Sequence, residues 1–401
     1  MPEFPKHFLW GAATSAHQVE GNNRNNDWWQ WEQQSGHIAD GTVSGDCCDH
    51  CHRFRDDFTL ARELGQNAHR LSLEWSRIEP RPGVFDQKEI DHYQQVLEEL
   101  KKQEFTVMVT LHHFTNPLWL TQKGGWENPK AVDHFLAYSR RVVAEFKNMV
   151  DFWITFNEPM VYIGASYLAG YWPPQKKSLT AALRVFRHLI RAHRKTYALI
   201  HSLVPATRVS IAKNNIFFEA GKNNFLQRLA VSLLAFLWNH AFLKLIRGQL
   251  DFIGLNYYFR ALLSLNRESR KNLKPLFVAR IETRHSNNAI VLENNPLQMY
   301  DVIMDLARYR LPIYITEHGV ADSDDHVRPW VIKEGLRSVA RALRRGVDVR
   351  GYFHWSLLDN FEWAEGRSLR FGLIAVDYTT QKRTVRPSAL FYCEVCKNNR
   401  F

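Results

Sequence analysis

The stretch DFWITFNEP, residues 151–159, runs through five uncharged residues and then stops on Asn157, Glu158 and Pro159. Its apolar residues follow one another instead of alternating with polar ones. A strand covered on both faces, as in a parallel sheet, needs that pattern. Seven other runs share the form: FLWGAATS (8–15), AHRLSLEW (68–75), TVMVTLHHF (106–114), RVSIAKNN (208–215), DFIGLNYYF (251–259), PIYITEHG (312–319) and VRGYFHWSLLDN (349–360). Helical patterns fill the gaps. In FRDDFTLARELG (54–65), Phe54, Phe58, Leu60, Ala61 and Leu64 line one side and Gly65 is a stop signal. KEIDHYQQVLEELKKQ (88–103), AVDHFLAYSRRVVAEF (131–146), the long segment 178–203, MYDVIMDLARYR (299–310) and VIKEGLRSVARALRRG (331–346) obey the same rule. Eight strands alternating with helices predict an α/β fold: one (β/α)8 TIM barrel spanning residues 1–401 as a single catalytic domain. No linker, low-complexity tract or longer repeat interrupts the pattern.

Several runs end in polar residues: Glu74, His112-His113, Asn157-Glu158, Asn214-Asn215, Asn256-Tyr257, Glu317-His318 and Asp359-Asn360. In a barrel these are the C-terminal strand ends, where the loops build the active site. Glu158 and Glu317 close the fourth and seventh runs, so the barrel sets them across one cleft. Two carboxyl groups facing a cleft in a chain with 13 Trp suggest glycosidic bond cleavage. One must be protonated to donate to the leaving oxygen, and the other ionised, so their surroundings must split their pKa values. Arg70, on the second strand, would hold a neighbouring carboxylate ionised.

Composition excludes some alternatives. The net charge is +11, but there is no Lys/Arg-rich arm or RNA-binding sheet motif, so a solvated basic surface is expected and no nucleic-acid partner. Five cysteines, an odd number, do not make a disulfide scaffold, and a reducing, cytoplasmic location is expected. MPEFPKHFLWG lacks the apolar core of a signal peptide. The longest apolar segment, 229–246, is broken by Ser232, Asn239, His240 and Lys244. It is expected to be a buried or interfacial helix, not a transmembrane segment. GDCCDHCHRF (45–54) and FYCEVCKNN (391–399) each hold a C-x-x-C pair, which looks like half a zinc site. In a barrel the first pair opens the first helix, and Cys393 lies about two turns down the last. That is an axial offset on the order of 10 Å, too far for one ion. No metal is expected.

Taken together, FLWGAATSAHQVEG, TFNEP, ITEHG, YFHWSLLDNFEW and RFGLIAVDY resemble glycoside hydrolase family 1, the retaining β-glucosidase family, over nearly the whole chain. The resemblance implies that Glu158, in TFNEP, is the acid/base and Glu317, in ITEHG, the nucleophile. It implies that Arg70 and Tyr258 orient the nucleophile. Gln18, His113, Asn157, Glu362 and Trp363 would hydrogen-bond the glycone hydroxyls, and Trp355 would floor the sugar ring. It implies a separation of about 5–5.5 Å between the carboxyl groups, as retaining enzymes have, and no cofactor. The substrate would be a small β-glycoside or short β-linked oligosaccharide, cleaved from the non-reducing end by double displacement. A β-glucosidase is expected first, with β-galactosidase or β-fucosidase activity open. Glu362-Trp363 stands where 6-phosphosugar enzymes of the family carry a Ser and a Lys/Tyr cluster, which favours a neutral sugar. Thioglucosidases replace the acid/base Glu by Gln, so Glu158 implies O-glycosides. A transglycosidase on the same site, or a non-catalytic sugar- or partner-binding barrel, are the alternatives.

The chain departs from the family pattern in places. His318 follows the nucleophile where Asn is usual, and its side chain is expected to point away from the site. Phe114 replaces a Trp. The chain is shorter than usual around the fourth to sixth strands, so an open aglycone side is expected, with mobile stretches at 216–225 and 264–290. The shortening would also expose the apolar 229–246 helix, offering a dimer, membrane or hydrophobic-ligand surface.

Overall fold

A computed structural model describes residues 3–221, 225–263 and 290–401. Eight parallel strands close into a barrel: β1 (Leu9–Ala13), β2 (Ala68–Ser72), β3 (Thr106–His112), β4 (Phe152–Asn157), β5 (Arg208–Asn214), β6 (Ile253–Tyr257), β7 (Ile313–His318) and β8 (Val349–Trp355). Each pairs with its sequence neighbours, and β1 closes the ring by pairing with both β2 and β8. The closure is tight. A Cβ on Gly11 would lie 2.4 Å from the Ala68 carbonyl oxygen and 2.7 Å from the Phe353 ring, so only glycine fits there.

Helices cover the outside. His50–Glu63, Gln87–Lys102, Ala131–Phe146 and Leu179–Leu203 follow the first four strands. An apolar helix, Phe225–Leu245, follows β5. Met299–Leu306, Arg328–Arg344 and Pro387–Asn398 follow β6, β7 and β8. Their starts follow local chemistry: Asp86 accepts from the Lys88 amide at 2.9 Å, Ser178 from the Ala181 amide at 3.3 Å, and Pro387 occupies a first-turn position.

The lumen has two levels. Ala68, Met108, Phe152, Ile154, Ala212, Phe252, Tyr314 and Phe353 form one buried apolar cluster drawn from around the ring. Two residues past Ala68 and Phe353 come Arg70 and Trp355, and four past Phe252 comes Asn256, so the period-two alternation carries a second, more polar layer above the apolar plug. Asn157 and Glu317 fall out of that alternation. The β4–β5 pairing shifts register between Ile154 and Asn157, and the β6–β7 pairing between Ile315 and Glu317. Such irregularities re-aim side chains at the rim of a barrel.

The structure adds elements that periodicity did not show. Phe217–Ala220 and Phe259–Leu263 pair in parallel, and Ile290–Asn294 joins them antiparallel, in a small sheet beside the barrel. Two stretches were expected to be mobile, 216–225 and 264–290; the first contains the strand Phe217–Ala220. Of them, residues 222–224 and 264–289 lie outside the described residues. The strands are also shorter than the apolar runs: β2 ends at Ser72 and a helical turn, Trp75–Ile78, begins at once, while β8 ends at Trp355.

The cysteines are all unpaired. Around the first cluster the side chains diverge: His50 meets Asp57 at 2.8 Å, His52 meets Asp49 at 2.6 Å, and Cys51 meets His92 at 3.4 Å. Cys393 touches the Glu63 carbonyl, at the opposite end of the helix that His50 begins. The two C-x-x-C pairs therefore face opposite ends of one helix.

Candidate active site

The C-terminal strand ends surround a cavity of about 480 Å3 lined by Glu158, Glu317, His113, Asn157, Tyr258, Trp355, Glu362 and Trp363, among others. A larger hollow of about 950 Å3 opens at the other end of the strands, between Lys6, Asp151, Arg208 and Arg350. That end of a barrel carries stability, not chemistry.

Glu317, at the end of β7, is buried and held by two donors. The Arg70 guanidinium donates to one carboxylate oxygen, and the Tyr258 hydroxyl to the other at 2.7 Å. Arg70 is itself buried and donates to Asn157 Oδ1 at 2.7 Å. A guanidinium on one oxygen and a phenol hydroxyl on the other fix the orientation of this carboxyl group.

Glu158 follows β4 with φ +42, a left-handed conformation that is costly outside glycine and recurs at functional sites. Asn256 Nδ2 donates to it at 2.9 Å. Burial above all, and then the charge of Glu317, push its carboxyl up to about 8. At neutral pH it is a carboxylic acid. The two carboxyl groups thus share a cavity in different surroundings, Glu317 paired with a guanidinium and Glu158 raised by burial.

The polar layer fixes its own orientations. Asn157 Oδ1 accepts from Arg70 and, at 3.1 Å, from Asn256, so its amide nitrogen must be the end that meets His113 Nε2 at 3.1 Å. His113 Nε2 is then the acceptor, and the ring proton sits on Nδ1. Nδ1 has no partner. Burial, and then the charge of Arg70, hold the imidazole well below its usual pKa, so it stays neutral. This N–H is therefore a buried donor left unsatisfied in a residue that lines the cavity.

Trp355 and Trp363 lie nearly parallel to the His113 ring, with centroids at 5.9 and 6.1 Å. Trp363 also packs against Trp28, Phe114 and Trp172. Glu362 receives hydrogen bonds from Trp355 and, at 3.2 Å, from Gln18. Burial and then the charge of Glu317 push Glu362 up to about 8. Gln18 does not line the cavity. Its amide nitrogen also reaches Asn360 Oδ1 and the Phe361 carbonyl, both at 3.0 Å, and its oxygen accepts from Ser15 at 2.6 Å, so it stands behind Glu362. Arg70 likewise stands behind Glu317. The other eight residues expected at the site line it.

His318 points away from the cavity, as expected of it. It meets the Tyr352 hydroxyl at 2.7 Å and packs so closely on Gly335 that a Cβ there would lie 2.5 Å from its ring. Burial holds it down at about 3, hence neutral.

Three neighbours of the carboxyl pair were not legible as site residues. Asn256 links Glu158, Asn157 and the Thr316 hydroxyl. Lys213 is fully buried beside Glu158, and burial lowers its amine to about 7. Trp238 lines the cavity and donates to Asn214 at 3.2 Å. The signals in the sequence were Asn256 as a polar run end and Lys213 as a lysine inside the apolar run RVSIAKNN.

A barrel whose strand ends hold two carboxyl groups in a cavity lined by Trp355 and Trp363 has the arrangement of a glycoside hydrolase. The family model for glycosyl hydrolase family 1 matches residues 1–243 and 229–401, and the chain belongs to that family. It is 32% identical to the 1,4-beta-D-glucan glucohydrolase of Thermotoga neapolitana over 445 aligned positions, covering 100% of this chain and 99% of that one. It is 31% identical to the beta-galactosidase of Pyrococcus woesei, covering 99% and 97%. Among solved structures, the beta-glycosidase from Pyrococcus horikoshii superposes with a TM-score of 0.89 at 36% identity, covering 100% of this chain and 96% of that one. The beta-glucosidase from Thermotoga maritima in complex with glucoimidazole gives 0.88 at 32% identity, covering 100% of both. The first alignment is longer than the 401 residues of this chain, so this chain is the shorter partner.

Proposed function

We propose that the protein hydrolyses O-linked β-glycosides from the non-reducing end by double displacement, with Glu317 as nucleophile and Glu158 as acid/base. The observation that carries this is the split pair: Glu317 clamped by Arg70 and Tyr258, Glu158 kept protonated by burial. Glu317 attacks the anomeric carbon while Glu158 donates its proton to the leaving oxygen. Glu158, now a carboxylate, takes a proton from water, and that water releases the sugar with retained configuration.

The glycone lies on Trp355, whose indole covers the C–H face of a sugar. His113 Nδ1–H, Asn157 and Glu362 meet its hydroxyls, with Trp363 beside them, and Gln18 positions Glu362. Among the described residues, no Lys or Arg lines the cavity. A phosphorylated sugar would thus bring a dianion into a buried site without a counter-charge, which favours neutral glucose or galactose. The relatives named beta-glucosidase and beta-galactosidase support the same pair. Five unpaired cysteines suit a reducing compartment such as the cytoplasm.

The test is stereochemical. Proton NMR of 4-nitrophenyl β-glucoside or β-galactoside during early turnover should show the β-anomer of the free sugar first. Initial release of the α-anomer would overturn the retaining assignment, and no release of either sugar would overturn the hydrolase reading.

A further inference from the structure

The hollow of about 950 Å3 at the N-terminal strand ends has no part in the chemistry above, and its lining is built for charge. Its floor is aromatic. Phe152 and Tyr314 line it, and with Phe252 they form a triad of rings whose centroids lie between 5.1 and 5.6 Å apart. All three are buried and belong to the apolar cluster that separates the hollow from the catalytic layer. Arg208, the first residue of β5, is fixed on that floor. Its guanidinium lies 5.2 Å from the Phe152 ring centroid and donates to the Tyr314 hydroxyl at 3.3 Å. Arg350, on β8, hydrogen-bonds the same hydroxyl. Accepting from both, that hydroxyl keeps its own proton for a further acceptor.

The charges around the hollow do not balance. Lys6, Lys147, Arg208 and Arg350 line it, against Asp151 and Asp348. Both carboxylates are already engaged. Arg350 meets Asp348 at 2.8 Å, while Lys101, outside the hollow, meets Asp151 at 3.0 Å and the Val107 amide donates to it at 2.7 Å. Among the described residues, none forms an ion pair with Lys6, Lys147 or Arg208. These three come from separate parts of the chain: the segment before β1, the end of the Ala131–Phe146 helix and the start of β5. Thr207, beside Arg208, also lines the hollow, and its hydroxyl has no hydrogen-bond partner. Cations around a concave wall repel one another and focus a positive potential into it, and the net charge of +11 adds to that field. Guanidinium, ammonium and hydroxyl donors without acceptors suit the oxygens of a phosphate or carboxylate. A neutral sugar would leave the cations uncompensated. A single chloride would fill little of a hollow that is the size of a metabolite site.

We infer that this hollow binds a small anion carrying two or more negative charges, with its phosphoryl or carboxyl oxygens on Lys6, Lys147, Arg208 and the Tyr314 hydroxyl. The anion ties the segment before β1 to the starts of β5 and β7, so it stabilises the barrel from its base. It takes no part in glycoside cleavage, and the inference stands apart from the glycosidase reading.

The experiment is isothermal titration of the whole protein with pyrophosphate and, separately, with citrate, against sodium chloride at equal ionic strength, with thermal unfolding in parallel. At least one of the two anions should bind saturably, one per chain, and raise Tm in proportion to the logarithm of its concentration. Tighter binding of pyrophosphate assigns a phosphorylated ligand, and tighter binding of citrate a polycarboxylate; either supports the site. Lys6→Gln/Lys147→Gln, altered at two exposed side chains without ion pairs, should raise Kd by about tenfold. Arg208→Gln should do the same, and the lysine pair decides if that variant does not fold. Both should keep the wild-type kcat/KM on 4-nitrophenyl glycosides. Arg187→Gln/Arg191→Gln, on the exposed face of the Leu179–Leu203 helix, should bind as the wild type does. A Tm that neither anion raises beyond chloride would overturn the inference. So would binding that survives the lysine-pair and Arg208 variants, since the anion would then sit elsewhere on the basic surface. A kcat/KM that changes when the anion saturates would overturn its separation from catalysis.

Discussion

Glu158 and Glu317 were legible because each ends an apolar run, and a barrel turns such ends into one cleft. What the sequence could not show is how their surroundings differ. Burial of Glu158 depends on the closed ring, and the donors on Glu317 come from β2 and from Tyr258, just past β6, far away in sequence. Asn256 stayed unassigned for the same reason, since its three partners lie on β4, after β4 and on β7. With its carboxyl pushed up to about 8, Glu158 donates below that pH and fails above it. The kcat/KM profile should therefore fall on an alkaline limb near pH 8. Glu158→Gln should abolish that limb and lower kcat on alkyl glycosides by about 10²–10⁴-fold, with a smaller loss on nitrophenyl glycosides, whose leaving group needs no proton. An unchanged alkaline limb in the variant would assign it to another group.

At the scale of elements, all eight strands were readable as continuous apolar runs, because a strand buried on both faces has no polar side to alternate. Their ends were not. LEW continues the apolar character of β2, but Glu74 caps a new helical turn by accepting from the Ser76 amide at 3.2 Å. The helix of the first β/α unit begins before its apolar pattern, at His50, because Asp49 turns the chain with φ +50. The small sheet beside the barrel gave no signal: FFEA and FRALL are too short to show a period. The Phe225–Leu245 helix was recognised as apolar, but its exposure depends on what the rest of the chain leaves uncovered. It is held to the barrel through Asn239, and Ile216, which Asn239 grips, lines the cavity. Asn239→Ala leaves both backbone groups of Ile216 unpaired, and should cost about 2–4 kcal/mol in urea unfolding. An unchanged midpoint would mean that the helix is anchored elsewhere.

For the whole molecule, the barrel buries more ionisable groups than its catalysis uses. Asp27 is pushed up to about 7, and Glu158 and Glu362 to about 8, chiefly by burial. A carboxyl whose folded pKa is raised contributes stability below its unfolded pKa and loses it as pH rises through the folded value. Burial also lowers His69 and His318 to about 3, and His112 and His193 to about 4. Their contribution is present above the unfolded histidine pKa and is lost as pH falls toward those values. Above roughly pH 6.5 the three carboxyl groups act against Lys213, whose lowered amine adds stability as pH rises past about 7; they outnumber it up to their folded values, so Tm should fall between about pH 6.5 and pH 8. Glu158→Gln should flatten part of that fall, and a Tm that rises over this interval would contradict the assigned protonation states. The fold, the family and the placement of Glu158 and Glu317 across one cavity were thus readable from the chain, while the small sheet and the exposure of the apolar helix beside the barrel were not.

The central claim is that Glu317 forms a covalent bond to the sugar. It is tested most directly by incubating the enzyme with a 2-deoxy-2-fluoro-β-glucoside bearing a good leaving group, then weighing the intact protein and its peptides. The galacto reagent follows if the gluco one is inert. A single glycosyl adduct on the peptide that contains Glu317 is the expected result. An adduct on the Glu158 peptide, or none with either reagent on folded protein that still cleaves the aryl glycoside, would contradict it.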